Sequence, residues 1–221
     1  MKKYHYLVLL VLTLISCKKE KPLVEDFGYD YYPNEIGYWV EYEVTEINHD
    51  ISSDTSNYLL REQISAFFFD QQGRKAQRVE RFWRTSSADE WEIKDVWYAN
   101  VTTRTAEKVE ENVRFVKLNF PIRTTSTWDG NDFNTQREWL YGYDSLHIPR
   151  TISGIYLDST IKVVQRNNFN LVEYEKAYEI YAKHIGLVKK EFIDLDINNF
   201  NPQNITKGKE LYQQMTNYGK L

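Results

Sequence analysis

The sequence predicts a mainly β protein built on a single curved antiparallel sheet, a half-barrel or open barrel with few short helices. Three observations carry this prediction. Bulky side chains recur at every second residue through most of the chain, which is the period of a half-buried strand. Aromatic residues are abundant, with 17 Tyr, 11 Phe and 6 Trp, and fall mostly inside these alternating segments, where strand propensity favours them. No helical stripe dominates, and short turn sequences join the segments, as in up-and-down sheets. Residues 37–221 therefore read as one domain.

The elements follow in order. Gly37–Ile47 sets Tyr38, Val40, Tyr42 and Val44 on one face against Glu41, Glu43 and Thr45 on the other. Tyr58–Phe69 alternates similarly and runs into Asp70-Gln71-Gln72-Gly73, a turn of hairpin length. Arg78–Thr85 returns, and Glu90–Tyr98 follows with Trp91, Ile93 and Trp97 on one side. Asn112–Phe120 is a strand whose phase slips between Phe115 and Val116, the mark of a bulge or of burial on both faces. Pro121 stops this strand or confines it to an edge. Trp128-Asp129-Gly130-Asn131-Asp132 is turn chemistry, with Gly130 suited to positive φ.

Glu138–Tyr143 and Thr160–Arg166 are the next strands, with Pro149 and Gly154 marking a loop between them. Glu173–Lys183 is ambiguous: Tyr174, Ala177, Tyr178 and Tyr181 have helical spacing, while Tyr178, Ile180 and Ala182 alternate. His184-Ile185-Gly186 turns the chain into Leu187–Leu195. Asn198–Pro202 reads as a loop, and Lys207–Tyr218 closes the chain as a strand or a short helix.

The N-terminus carries a different signal. Lys2 and Lys3 precede the apolar run Leu7–Ile15, which is far shorter than the ~20 residues of a membrane-spanning helix. The run ends in Leu14-Ile15-Ser16-Cys17, the pattern of a bacterial lipobox. Residues 1–16 are then a lipoprotein signal peptide, and residues 17–36 a lipidated Cys and tether. Cys17 is the chain's one cysteine, and a thiolate is the nucleophile such lipid transfer requires. Two or three palmitate-type chains, at about 0.8 kcal/mol per buried CH₂, anchor stably. The expected partner is thus a membrane, reached through the anchor on Cys17. Lys18, rather than Asp, follows the Cys and points to the outer membrane. The net-positive tether favours the periplasmic face, with surface exposure as the alternative.

Much chemistry is excluded. The net charge of −4 with no basic block argues against nucleic acid. One cysteine permits neither an internal disulfide nor a multi-Cys metal site. His49, His147 and His184 sit in no catalytic motif, and no nucleophile elbow, phosphate loop or metalloprotease helix occurs. Asp194-Leu195-Asp196-Ile197-Asn198 alternates oxygen groups, but Asn199 and Ile205 stand where a calcium loop needs Gly and Glu. The expectation is a protein that is not an enzyme, with no cofactor, no metal and no pocket of convergent, perturbed ionisable groups. Asp144-Ser145-Leu146 and Asp158-Ser159-Thr160, both near predicted loops, resemble the O-glycosylation sequence of Bacteroidota envelopes and mark Ser145 and Ser159 as candidate acceptors. Trp39, on the polar side of its strand, is the candidate ligand-binding residue.

Three patches carry a family resemblance. They are Leu118–Pro121 with Trp128–Asn131, Tyr181–Glu191, and Lys207–Leu211 through Tyr218-Gly219-Lys220. Together they resemble a widespread group of uncharacterised Bacteroidota lipoproteins. In that group a Tyr-Ala-x-x-Ile/Val-Gly-Leu-Val-Lys turn joins two long strands, and the same turn occurs in the curved half-barrel of the periplasmic lipoprotein carrier. The resemblance spans roughly Gly37 to the C-terminus; many relatives have Gly at the place of His184. It implies strand for Glu173–Lys183 and for the final segment, and it transfers no activity.

The expected function is non-enzymatic binding of an apolar or amphiphilic ligand, or of an envelope partner, in a groove. The groove lies opposite a sheet face buried against a helix or loop. The alternatives are glycan or peptide capture in an uptake complex, and a structural subunit of an envelope machine.

Overall fold

A computed structural model describes residues 26–221. The signal peptide, Cys17 and the start of the tether lie outside the described residues. The chain forms one antiparallel sheet of 12 strands, nearly closed into a barrel. The first six are β1 (Tyr38–His49), β2 (Asp54–Phe69), β3 (Lys75–Arg84), β4 (Glu92–Val101), β5 (Thr105–Glu110) and β6 (Val113–Asn119). The second six are β7 (Thr127–Asp129), β8 (Leu140–Ile152), β9 (Ile155–Phe169), β10 (Glu173–Ala182), β11 (Gly186–Asn198) and β12 (Asn201–Lys220). Each set is a meander. The two meet at the β1–β12 ladder, from Tyr38 opposite Lys220 to His49 opposite Gly208, which leaves β6 and β7 as the edges.

Curvature brings those edges together. Val116 N donates to Gly130 O at 2.9 Å, Trp128 Nε1 donates to Val116 O at 2.9 Å, and Asn134 Nδ2 donates to Arg114 O at 2.8 Å. Side chains thus satisfy backbone groups that an open edge would leave to solvent or to another chain. Tyr31, Leu118, Trp128, Tyr141 and Tyr143 form the apolar cluster beside this seam.

The predicted curved sheet with little helix is what the chain forms; a single 3₁₀ turn, Tyr29–Tyr31, is the one helical element among the described residues. Local details differ from expectation. Among the described residues no helix covers a face; the sheet curls on itself instead. From residue 26 the expected tether packs against the barrel: Tyr31 is fully buried, and Gln77 Nε2 donates to Pro33 O at 3.0 Å. Tyr31 and the half-buried Tyr32 bring rings onto the barrel, while Phe27 and Tyr29 stay exposed and stack on each other; burial of such rings is among the larger single contributions to folding.

Pro149 lies inside β8 rather than in a loop. β7 pairs only with Leu140–Gly142, so β8 beyond that point has a free edge where a missing N–H costs nothing. The turn of this hairpin is only Ser153-Gly154, with φ of 49° and 80°. Asn198–Pro202 is likewise no loop: Asn199 and Phe200, at φ 57° and 55°, make a two-residue turn between β11 and β12. Gly130 is required for space rather than for φ, since a Cβ there would stand 2.3 Å from the Tyr141 ring. Glu173–Ala182 is strand, with Glu175, Ala177, Glu179 and Tyr181 all buried at period two. β6 does carry a bulge, just past the expected Phe115–Val116 slip: Leu118 faces Ala106 and Val116 faces Glu107, which leaves Lys117 as the extra residue.

Candidate functional site

The lumen is where chemistry-bearing side chains converge. Period-two alternation places Glu62 of β2, Lys108 and Glu110 of β5, and Glu179 of β10 inward, and the β6 bulge adds Lys117. Two adjoining cavities result. The narrower, ≈ 80 Å³, is bordered by Tyr32, Tyr38, Trp39, Val40 and Tyr42 among others. The wider, ≈ 490 Å³, lies against Trp97, Trp139, Tyr141, Gln165, Phe192 and Gln213 among others. Glu62, Lys108, Glu110, Lys117 and Leu187 border both.

Between the cavities sits an ionic layer. Lys117 Nζ lies 2.8 Å from Glu110 and 3.0 Å from Glu179. Lys190 stands 3.6 Å from Glu110 and 3.7 Å from Glu179, completing a quartet that ties β5 and β6 to β10 and β11 across the lumen. A second group joins Lys108 to Glu62 at 2.7 Å, Arg81 to Glu62 at 3.0 Å, and Arg81 to Asp95 at 2.8 Å. The Arg81 guanidinium also stacks 3.5 Å from the centre of the Trp97 ring, a favourable cation–π contact.

Burial opposes the charge of Glu62, Arg81, Glu110, Lys117 and Glu179, and their partners more than offset it. Glu110 is held far below the usual carboxylate range by Lys117, Lys190 and Lys108. Glu62 and Glu179 are lowered for the same reason, and Lys117 is raised well above the usual ammonium value by Glu110 and Glu179. Burial and the adjacent Glu179 raise the Tyr181 phenol, whose O–H donates to Glu179 at 2.6 Å. The expectation of no convergent, perturbed ionisable groups is therefore corrected. Part of its signal was present in the sequence: Glu179 sits in phase between Ala177 and Tyr181, whereas the bulge at Lys117 lies just past the Phe115–Val116 slip.

The wall of the wider cavity is different. Gln165 Nε2, Gln213 Nε2 and Trp139 Nε1 are buried donors with no hydrogen-bond partner. Buried polar groups are nearly always paired, and one left unpaired costs about 1–3 kcal/mol.

Of the residues singled out in the sequence, Trp39 alone borders one of these cavities. Trp39 borders the narrower cavity, but its ring packs on Gly219 and is capped by Arg61, 5.0 Å from the ring centre. Ser145 and Ser159 are within β8 and β9, not in loops, and both are half-buried. Ser145 Oγ accepts from Arg150 at 3.0 Å, and Ser159 Oγ lies 2.6 Å from Tyr31 OH. Tyr31 OH in turn lies 2.8 Å from His147 Nδ1, so a phenol separates this serine from that imidazole. His49 pairs with Glu210 at 2.8 Å. His184 is exposed at φ 65° in the β10–β11 turn, where its N–H donates to Asp30 O at 2.7 Å. Asp194, Asp196 and Asn198 run along the end of β11, and no group of three or more His, Cys, Asp or Glu among the described residues is arranged to hold a metal.

No family profile and no curated protein matches this chain. Two solved structures are similar to it. One, from Bacteroides fragilis NCTC 9343, is described as a candidate exported protein with a YmcC-like fold; it has TM-score 0.47 and 10% identity, covering 89% of this chain and 100% of that one. The other is a candidate lipoprotein of Parabacteroides distasonis ATCC 8503, with TM-score 0.45 and 11% identity, covering 88% of this chain and 99% of that one.

Proposed function

We propose that this is an outer-membrane lipoprotein, anchored through Cys17 and facing the periplasm, whose barrel lumen captures a small amphiphilic ligand without transforming it. The observation that carries the reading is the ≈ 490 Å³ cavity, which lies within the roughly 300–1,000 Å³ of small-molecule sites. Its aromatic walls and its polar groups offer both kinds of contact that such a ligand needs. A purely aliphatic ligand fits less well, because it would displace water from the ionic layer and return nothing to it.

The non-enzymatic part rests on pairing. The inward charges of the ionic layer each face an opposite charge, and none of the three histidines of the described chain borders either cavity. Anchoring rests on the Leu14–Cys17 motif.

Two measurements test the reading. Cys17→Ser moves the protein from the membrane to the soluble fraction; unchanged partitioning would remove the anchor. The small-molecule fraction of an envelope extract raises the melting temperature of the anchored protein, because a ligand that binds only the folded state stabilises it. If no fraction shifts the melt and one envelope protein co-purifies at fixed ratio, the structural-subunit reading replaces this one.

A further inference from the structure

We infer that the ligand of the wider cavity is a saccharide: uncharged, rich in hydroxyls, and held by the side-chain amides of Gln165 and Gln213 and the indole of Trp139. This deepens the proposed capture function and rests on the lumen being a binding chamber.

Three observations converge. The first is the unpaired donors. Gln165 and Gln213 are 5% and 6% exposed, come from β9 and β12, and find no protein acceptor for their amide nitrogens; Trp139 Nε1, just before β8, finds none either. These side chains share one cavity wall. Oxygen acceptors brought by a ligand would satisfy them, and sites that hydrogen-bond a hydroxyl discriminate strongly for it.

The second is the balance of the wall. Aromatic rings, Tyr58, Trp97, Phe115, Trp139, Tyr141 and Phe192, outnumber the aliphatic Val113, Leu187 and Leu211. An acyl chain would favour the reverse. Arg81 covers a face of Trp97 and Arg166 a face of Trp139; rings such as Tyr141 and Phe192 suit the C–H faces of a pyranose, while amides and charged groups take its hydroxyls.

The third is charge. Six cationic and five anionic side chains border this cavity, and Glu179, the partner of Lys117, supplies the sixth anion from the adjoining one. The wall offers no net charge to an ionic ligand, and its ionic groups at Glu62, Arg81, Lys108, Glu110 and Lys117 are already paired. A neutral hydroxylated ligand can bond to these pairs without separating them.

The test uses the full lipidated protein in phosphatidylcholine nanodiscs. Tryptophan fluorescence is followed as maltose, cellobiose, lactose and N,N′-diacetylchitobiose are added, with dodecanoate in a parallel series. At least one disaccharide gives a saturable change, and Gln165→Leu and Gln213→Leu each weaken it about tenfold, the effect of losing one good hydrogen bond. Unchanged melting temperatures show that both variants fold. The saccharide assignment is overturned if no disaccharide titrates up to roughly 20 mM, well past the weak-binding range, or if wild type and both variants respond alike. A response to dodecanoate alone overturns the saccharide but leaves the chamber standing; silence in both series overturns both.

Discussion

Two groups of polar side chains share one lumen and are treated in opposite ways. Around Glu110, Lys117, Glu179 and Lys190, each charge faces an opposite charge, and two of these contacts are 3.0 Å or closer. Around Gln165, Gln213 and Trp139, donors equally removed from solvent face no acceptor. Both groups are polar and buried, so burial alone does not distinguish framework from binding surface. Pairing does: the ionic quartet completes itself and braces the barrel, whereas the amide wall is completed from outside.

The largest expected effect breaks the paired side. Lys117→Ala leaves Glu110 and Glu179 with only the longer contacts to Lys190, and loss of one partner from a buried pair costs about 3–5 kcal/mol. Urea denaturation measures it; a loss below about 1 kcal/mol, the scale of a surface pair, would mean that the layer is hydrated and not a brace.

Acid is next. The carboxyl of Glu110 is depressed in the folded state, as are those of Glu62 and Glu179. Depressed groups contribute stability that is fully present above the unfolded value of about 4.3 and is lost as pH falls through the lower folded value. Melting temperature should therefore hold between neutral pH and pH of about 5 and then drop below pH of about 4. In Glu110→Gln the drop below that point should be shallower. An equally steep acid limb in the variant would assign the loss to other carboxylates.

A matched pair of indoles sharpens the comparison further. Trp128 Nε1 has its acceptor in Val116 O, while Trp139 Nε1 has none. Trp128→Phe should cost about 1–3 kcal/mol by stranding that carbonyl, and Trp139→Phe distinctly less, read side by side by chemical denaturation. The reverse order would show that the Trp139 donor is satisfied in solution.

The smallest effect is the most specific. Gln213→Leu removes an unpaired donor, so the ligand-free protein should be unchanged or more stable by up to about 1 kcal/mol. A large loss would place Gln213 among the framework groups.

The fold was largely legible because it is written at short range. Alternation through Tyr38–Val44 and Tyr58–Phe68, and turn chemistry at Asp70–Gly73, require only neighbours. The resemblance at Tyr181–Glu191 correctly implied a turn between two long strands, here β10 and β11. Errors arose where long-range context reverses a local rule. Pro149 breaks a strand only if its N–H is needed, and the free edge of β8 follows from how short β7 is. The run from Phe27 to Tyr32 looked like a tether until the barrel offered it a seat. The lumen was legible only in part. Glu179 shares the inward phase of Ala177 and Tyr181, but its meeting with Lys117, 62 residues away, depends on a closure that no local pattern encodes. Trp39 drew attention for standing on the polar face, where Arg61 and Gly219 already occupy its ring.

The central claim is that the amide wall awaits a ligand while the ionic layer does not. Native mass spectrometry of the full-length protein, isolated from the membranes of its host beside a Gln165→Leu/Gln213→Leu variant, tests it most directly. The account predicts a non-covalent adduct of saccharide mass on the wild type, none on the variant, and equal melting temperatures once the adduct is stripped. Bare protein in both samples, or the same adduct on both, would contradict it.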